Sequence, residues 1–175
     1  MTSVDSFLTH HDQGLKYRIG HVFPFGATVL NGGVNFSIFS KYAKSCTLVL
    51  YHHGQRDPFA EIPFPEEFRI GDVYSMLVYG IHIETTEYGY RFDGDYAPER
   101  GQRFDKTKVL LDPYAKSVSG RDSWGRLPDT TIFFQHRGQI VQTDFNWEGD
   151  RPLEIPQKDL IIYELHVRSF TRHPS

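Results

Sequence analysis

The chain has 175 residues and a formal net charge of −3 with histidines neutral; 39% of it is hydrophobic and 15% aromatic, including 14 Phe and 10 Tyr. That much apolar material excludes wholesale disorder, and acids and bases are intermixed without a basic stripe, so no nucleic-acid partner is expected. No run reaches the ~20 apolar residues of a membrane helix and the start MTSVDSFLTHHDQGLKY has no signal-peptide core, so no membrane partner is expected either.

Residues 1–19 are polar and without a strong period, and are expected to form a loose N-terminal arm. Short strand-like runs follow. GATVL leads into NGG, a turn signal. In VNFSIFS, Val34, Phe36 and Ile38 alternate with Asn35 and Ser37, the period-two pattern of a half-buried strand. SCTLVLYHH is apolar on both faces and is broken by GQRDP. Its Cys46, the single cysteine, reads as a small buried residue; one cysteine excludes an internal disulfide, and a soluble, reducing, cytoplasmic setting is expected.

EIPFP and EEFRIGD, with Pro63, Pro65 and Gly71, suit an edge and a turn. VYSMLVYG and EYGYRFDG read as two further strands, and in the second Tyr88, Tyr90 and Phe92 point one way while Gly89 and Arg91 point the other. DKTKVLLDPYAKSV has room for one short helical turn before Pro113. Strands at ~10-residue spacing with turns between them predict an all-β chain: an immunoglobulin-like antiparallel β-sandwich over residues 20–120. Residues 121–158, with an apolar knot at Ile132, Phe133 and Phe134 among Gly, Pro and Asp, read as a connector. Residues 159–175, DLIIYELHVRSFTRHPS, read as one further buried strand.

Four stretches carry a resemblance: FPFGATVLNGGVNFSIFS, YGYRFDGDYAPERGQRFDKTKVLLDPYAKSVSG, DFNWEGDRP and LIIYELHVRSFT. In this order they resemble the N-terminal part of an isoamylase-type glycogen debranching enzyme. The body at residues 20–120 is similar to carbohydrate-binding module family 48, and residues 159–175 resemble the first strand of the glycoside hydrolase family 13 (β/α)8 barrel, truncated here. The chain departs from the pattern in having Tyr74 where the family has Trp, IETTE where it has a Gly turn, Ser169 in place of Gly, and FDKTK where FNPNK is common.

The resemblance implies a parent enzyme that hydrolyses α-1,6-glucosidic branch points, with this chain as its accessory module. Glycoside hydrolysis needs two carboxyl groups, ~5–5.5 Å apart in a retaining enzyme, held by a barrel of ~250 residues. The family's nucleophile, acid and stabiliser lie on later barrel strands, so no catalytic residue is assigned and the chain is expected to be inactive alone. His166 and Arg168 would lie toward the C-terminal end of a barrel strand and are candidates for barrel support.

No metal or other cofactor is expected. His10/His11 and His52/His53 are adjacent pairs whose side chains diverge on a strand, and Asp93/Asp95 suit a polar hairpin end. For a weak α-glucan partner of glycogen or starch type, Phe36, Phe39, Tyr88, Tyr90 and Phe92 read as core, whereas Tyr74, Tyr96, Trp124 and Trp147 lie beside turns or in the connector and are the contact candidates. Covering ~100 Å² of one ring yields about 2.5 kcal/mol, against at least ~4 kcal/mol lost on association. One ring is therefore insufficient alone, whereas two or three in a row, or tethering to a polymer that offers many sites, suffice, with affinity expected at about millimolar or weaker. The alternatives are a stand-alone glycogen-binding module, a purely structural immunoglobulin-like domain, or a parent that is a branching enzyme or trehalose-forming hydrolase. The missing barrel is the other expected partner.

Overall fold

A computed structural model describes residues 9–120, 136–142 and 145–172. Their regular structure is strand and short 3-10 turns, with no α-helix among the described residues. The chain divides into two compact units, Met1–Thr143 and Asp144–Ser175.

In the first unit the strands in chain order are β1 (His10–Asp12), β2 (Leu15–Ile19), β3 (Gly26–Leu30), β4 (Gly33–Phe39), β5 (Ser45–His52), β6 (Ala60–Pro63), β7 (Arg69–Ile70), β8 (Val73–Tyr79), β9 (Thr86–Asp93), β10 (Tyr96–Ala97), β11 (Gln102–Arg103), β12 (Ser117–Ser119) and β13 (Arg137–Gln139). One sheet has the order β1-β2-β8-β4-β3, with β7 also on β8, and the other has the order β12-β13-β9-β5-β6. β10 and β11 form a separate hairpin. The pairings between these strands are antiparallel.

The two sheets share one core. Val34, Phe36, Ile38, Met76 and Val78 from the first sheet meet Leu48, Leu50, Ile62, Tyr88 and Tyr90 from the second, all buried. Phe36 and Tyr88 join the layers edge to face at 5.1 Å. The all-β sandwich predicted from strand spacing is therefore present, and β6, with Pro63, lies at a sheet edge as its prolines suggest.

Several local expectations need correction. The supposed arm contains β1 and β2, and β2 pairs with β8 and buries Leu15 and Tyr17. β4 is buried on both faces, because the segment after β2 lies over its polar side. There Asn35 accepts the His21 N–H at 2.7 Å and donates to the His21 carbonyl at 2.9 Å, while Ser37 Oγ donates to the Val22 carbonyl at 2.6 Å. Phe39, expected in the core, is exposed, since it follows Ile38 and so projects away from the core, at the last position of β4.

The stretch before Pro113 forms no helix. Leu110 instead bridges Tyr90 in antiparallel fashion, with N–H to carbonyl distances of 2.7 and 3.0 Å. Gly89 permits this, because a Cβ there would lie 2.5 Å from Val109 Cγ1 and 2.9 Å from the Leu110 carbonyl. The connector also contributes β13, inserted between β12 and β9, and Ile140 enters the core. Gly138 makes the insertion possible, as a Cβ would meet the Tyr88 ring at 2.6 Å.

At the open side of β6, the Gln13 amide substitutes for a strand. Its Nε2 donates to the Glu61 carbonyl at 2.7 Å, and the Glu61 N–H donates to Gln13 Oε1 at 3.0 Å. In the second unit, Gln157–Asp159 form a 3-10 turn, and residues 167–171 form turns. Residues 160–166 carry no regular structure, and Ile161 is 98% exposed.

Candidate functional site: aromatic surfaces of the sandwich

Tyr74, expected at the surface, is buried. It points inward from β8, its hydroxyl donates to the Ala43 carbonyl at 2.9 Å, and the Arg69 guanidinium lies 5.0 Å from its ring centre. Burial raises its phenol pKa. Tyr96, on the β10–β11 hairpin opposite Arg103, is 71% exposed. In the second unit Trp147 is exposed and meets Phe145 edge to face at 4.9 Å. Trp124, Ile132, Phe133 and Phe134 lie outside the described residues.

His166 begins a turn: its Nδ1 lies 2.8 Å from Ser169 Oγ and its carbonyl accepts the Ser169 and Phe170 N–H groups. Arg168 lies in the same run of turns, so strand alternation does not fix where either side chain points. Among the described residues no group of three or more His, Cys, Asp or Glu is placed to hold a metal ion. Lys44 instead pairs with Asp95, and Lys106 lies 3.8 Å from Asp93. The two histidines at the end of β5 diverge, His52 stacking on Phe59 at 4.3 Å and His53 bonding Glu87 at 2.8 Å. Cys46 is fully buried, and burial pushes its thiol pKa well up, which disfavours a thiolate.

The outer face of the second sheet is closed by its own side chains. Val49, Tyr51 and Val109 pack there, and Arg137 stacks over the Tyr51 ring at 3.5 Å. Arg137 also reaches the Gln55 carbonyl at 2.6 Å and Glu87 Oε2 at 3.3 Å. Beside it, Arg91 grips Glu61 with two nitrogens at 3.2 and 3.3 Å and donates to the Thr107 carbonyl at 2.7 Å. No aromatic face is left open on this surface among the described residues. A cleft of about 310 Å³ adjoins it, bordered by His53, Glu84, Glu87, Gln139 and Ile140, with no Phe, Tyr or Trp in its lining.

An open aromatic surface lies elsewhere, where the turn before β3 meets the segment before β12. Phe25 stands between Phe23 at 4.7 Å and Tyr114 at 4.8 Å, with interplanar angles of 50° and 36°. Phe23 is 67% exposed and Tyr114 43%. Two features hold this shelf. Gly26, at φ +89°, comes so close that a Cβ would lie 2.7 Å from the Tyr114 carbonyl. Asp112 accepts the Tyr114 N–H at 2.8 Å on one oxygen and the Tyr88 hydroxyl at 2.8 Å on the other. Burial raises the Asp112 carboxyl pKa, opposed by those two donors.

Sequence reasoning missed these three rings as a surface, because turn segments carry no alternation from which to read exposure. The available signal was the FPF triplet followed directly by Gly26, together with a Tyr directly after Asp-Pro.

Two facing antiparallel sheets whose sequence-consecutive strands repeatedly cross between layers define an immunoglobulin-like sandwich module. Residues 24–115 match the family described as carbohydrate-binding module 48 (isoamylase N-terminal domain), and the chain belongs to that family. It is 43% identical over 159 residues to isoamylase SU1, chloroplastic, of Zea mays, covering 87% of this chain and 20% of the relative. It is 31% identical over 173 residues to a glycogen debranching enzyme of Yersinia pseudotuberculosis, covering 89% of this chain and 24% of the relative. The chain thus spans about a fifth to a quarter of the length of these relatives. A pullulanase of Paenibacillus barengoltzii, crystallised with maltohexaose and α-cyclodextrin, shares the fold with a TM-score of 0.59 at 22% identity, over 89% of this chain and 21% of that one.

Proposed function

We propose that the chain serves as the accessory module of an enzyme that hydrolyses α-1,6-glucosidic branch points in glycogen or starch-type glucan, and that it holds α-glucan weakly while packing against the catalytic barrel. The observation that supports this most directly is the coincidence of the carbohydrate-binding-module match, residues 24–115, with a folded sandwich that leaves aromatic side chains open to solvent. Relatives named isoamylase and glycogen debranching enzyme support the same reading. Tyr96 and Trp147, both exposed, remain contact candidates, and His166 and Arg168 remain candidates for barrel support. A reducing compartment goes with the single, buried Cys46.

A second reading, a purely structural sandwich, is favoured by the closure of the outer sheet face by Arg137 and Arg91. Affinity electrophoresis in gels containing glycogen or amylopectin separates the two. Retardation relative to a glucan-free gel is the outcome of the first reading, and unchanged mobility in both polysaccharides is that of the second.

A further inference from the structure

We propose that the shelf formed by Phe23, Phe25 and Tyr114 is the surface on which this module takes an α-1,4-linked glucan chain. The inference rests on the reading that the module binds glucan, and it names the place. A single ring cannot offset the loss of freedom on association, and the Tyr96 ring on its hairpin has no aromatic neighbour within the described contacts. The shelf supplies three contiguous rings, spaced 4.7 and 4.8 Å apart, two of them exposed to solvent.

Aromatic faces attract the C–H faces of pyranose rings through dispersion and apolar burial, with no charge required. The shelf fits a neutral, polyhydroxylated ligand for that reason. Its shape narrows the choice. Tilts of 50° and 36° leave the three rings non-coplanar, so they do not form the flat platform that suits the ribbon of a β-1,4-linked chain, and the curved chain of α-1,4-linked glucose is the better match. The rings are also held before any ligand arrives. The close approach of Gly26 to the Tyr114 carbonyl and the Asp112 carboxylate, anchored on Tyr88, fix the two segments against each other. A surface ordered in advance loses less freedom on binding.

The test compares the full chain with Phe23→Ser, Tyr114→Ser and, at an exposed aromatic outside the shelf, Tyr42→Ala by affinity electrophoresis in glycogen. Each shelf variant is expected to lose about fivefold or more in affinity, the equivalent of about one ring contact, while Tyr42→Ala keeps most of it. A retarded parent with equally retarded shelf variants overturns the shelf and leaves glucan binding by the module intact. An unretarded parent overturns the broader reading and the shelf with it. Equal retardation accompanied by altered self-association of the shelf variants identifies the shelf as a protein-contact surface and also overturns the inference.

A gain-of-signal variant removes dependence on a loss. Phe23→Trp is expected to retain binding and to show an emission shift on titration with maltoheptaose that exceeds any shift of the parent chain and is absent with cellohexaose. Unchanged emission at maltoheptaose concentrations that abolish retardation in the gel overturns the assignment.

Discussion

The Arg137 guanidinium lies 3.5 Å from the centre of the Tyr51 ring while its Nη1 reaches Glu87, whose side chain is 5% exposed, at 3.3 Å. Glu87 is thereby a buried carboxylate with one cationic partner and one histidine, His53, at 2.8 Å. Removing the cation leaves a buried charge without its strongest partner. Arg137→Ala should destabilise the chain by about 2–4 kcal/mol, and combining Arg137→Met with Glu87→Gln should recover much of the loss. Urea unfolding of the two variants checks this; an equal loss in both would show that the stack on Tyr51, not the ion pair, carries the stability.

Tyr88 and Asp112 form the strut between core and shelf. Tyr88→Phe should cost about 1–3 kcal/mol, because the buried Asp112 loses a donor. The pH dependence has a defined sign. Burial holds the Asp112 carboxyl above its ordinary value of 3.8, so the folded chain binds that proton more tightly than the unfolded chain. The penalty for ionising it is absent below 3.8, grows as pH rises above that value, and levels off once the folded-state pKa is passed. Relative to Asp112→Asn, the parent chain should be most favoured in acid and lose ground through that window. Denaturant midpoints of both chains across mildly acidic to neutral pH measure it.

Gly89 is a packing requirement. Gly89→Ala places a methyl group 2.5 Å from Val109 Cγ1 and 2.9 Å from the Leu110 carbonyl, so the bridge to Tyr90 must shift. A loss of about 1–3 kcal/mol is expected. Slower amide exchange at Leu110 in the variant than in the parent would contradict it.

How far the sequence alone reaches is visible in these same residues. Alternation identified Tyr88, Tyr90 and Phe92 as inward-facing, because strands in a sandwich repeat every two residues and the core lies on one side. It failed where chain segments cover a face: Asn35 and Ser37 are polar yet buried, since a distant loop supplies their hydrogen-bond partners. It failed again for β13, three residues with no alternation of their own that become a strand through their neighbours β12 and β9. Tyr74 was misplaced because proximity to a turn suggested exposure, whereas its position on β8 directs it inward.

That correction is testable. Tyr74→Phe should lose about 1 kcal/mol, the net worth of its hydroxyl donating to the Ala43 carbonyl. Mobility in glycogen gels should be unchanged, and a marked loss of retardation would return Tyr74 to the list of contacts.

The pairing of the Gln13 side chain with the Glu61 backbone has an outcome for assembly. An outermost ribbon of a β-sandwich ordinarily offers open amide and carbonyl groups on which a stranger's chain can zip. Here one glutamine stoppers that row from within the same polypeptide. Recruitment along this flank is refused, and Gln13→Ala would unstopper it to intruders.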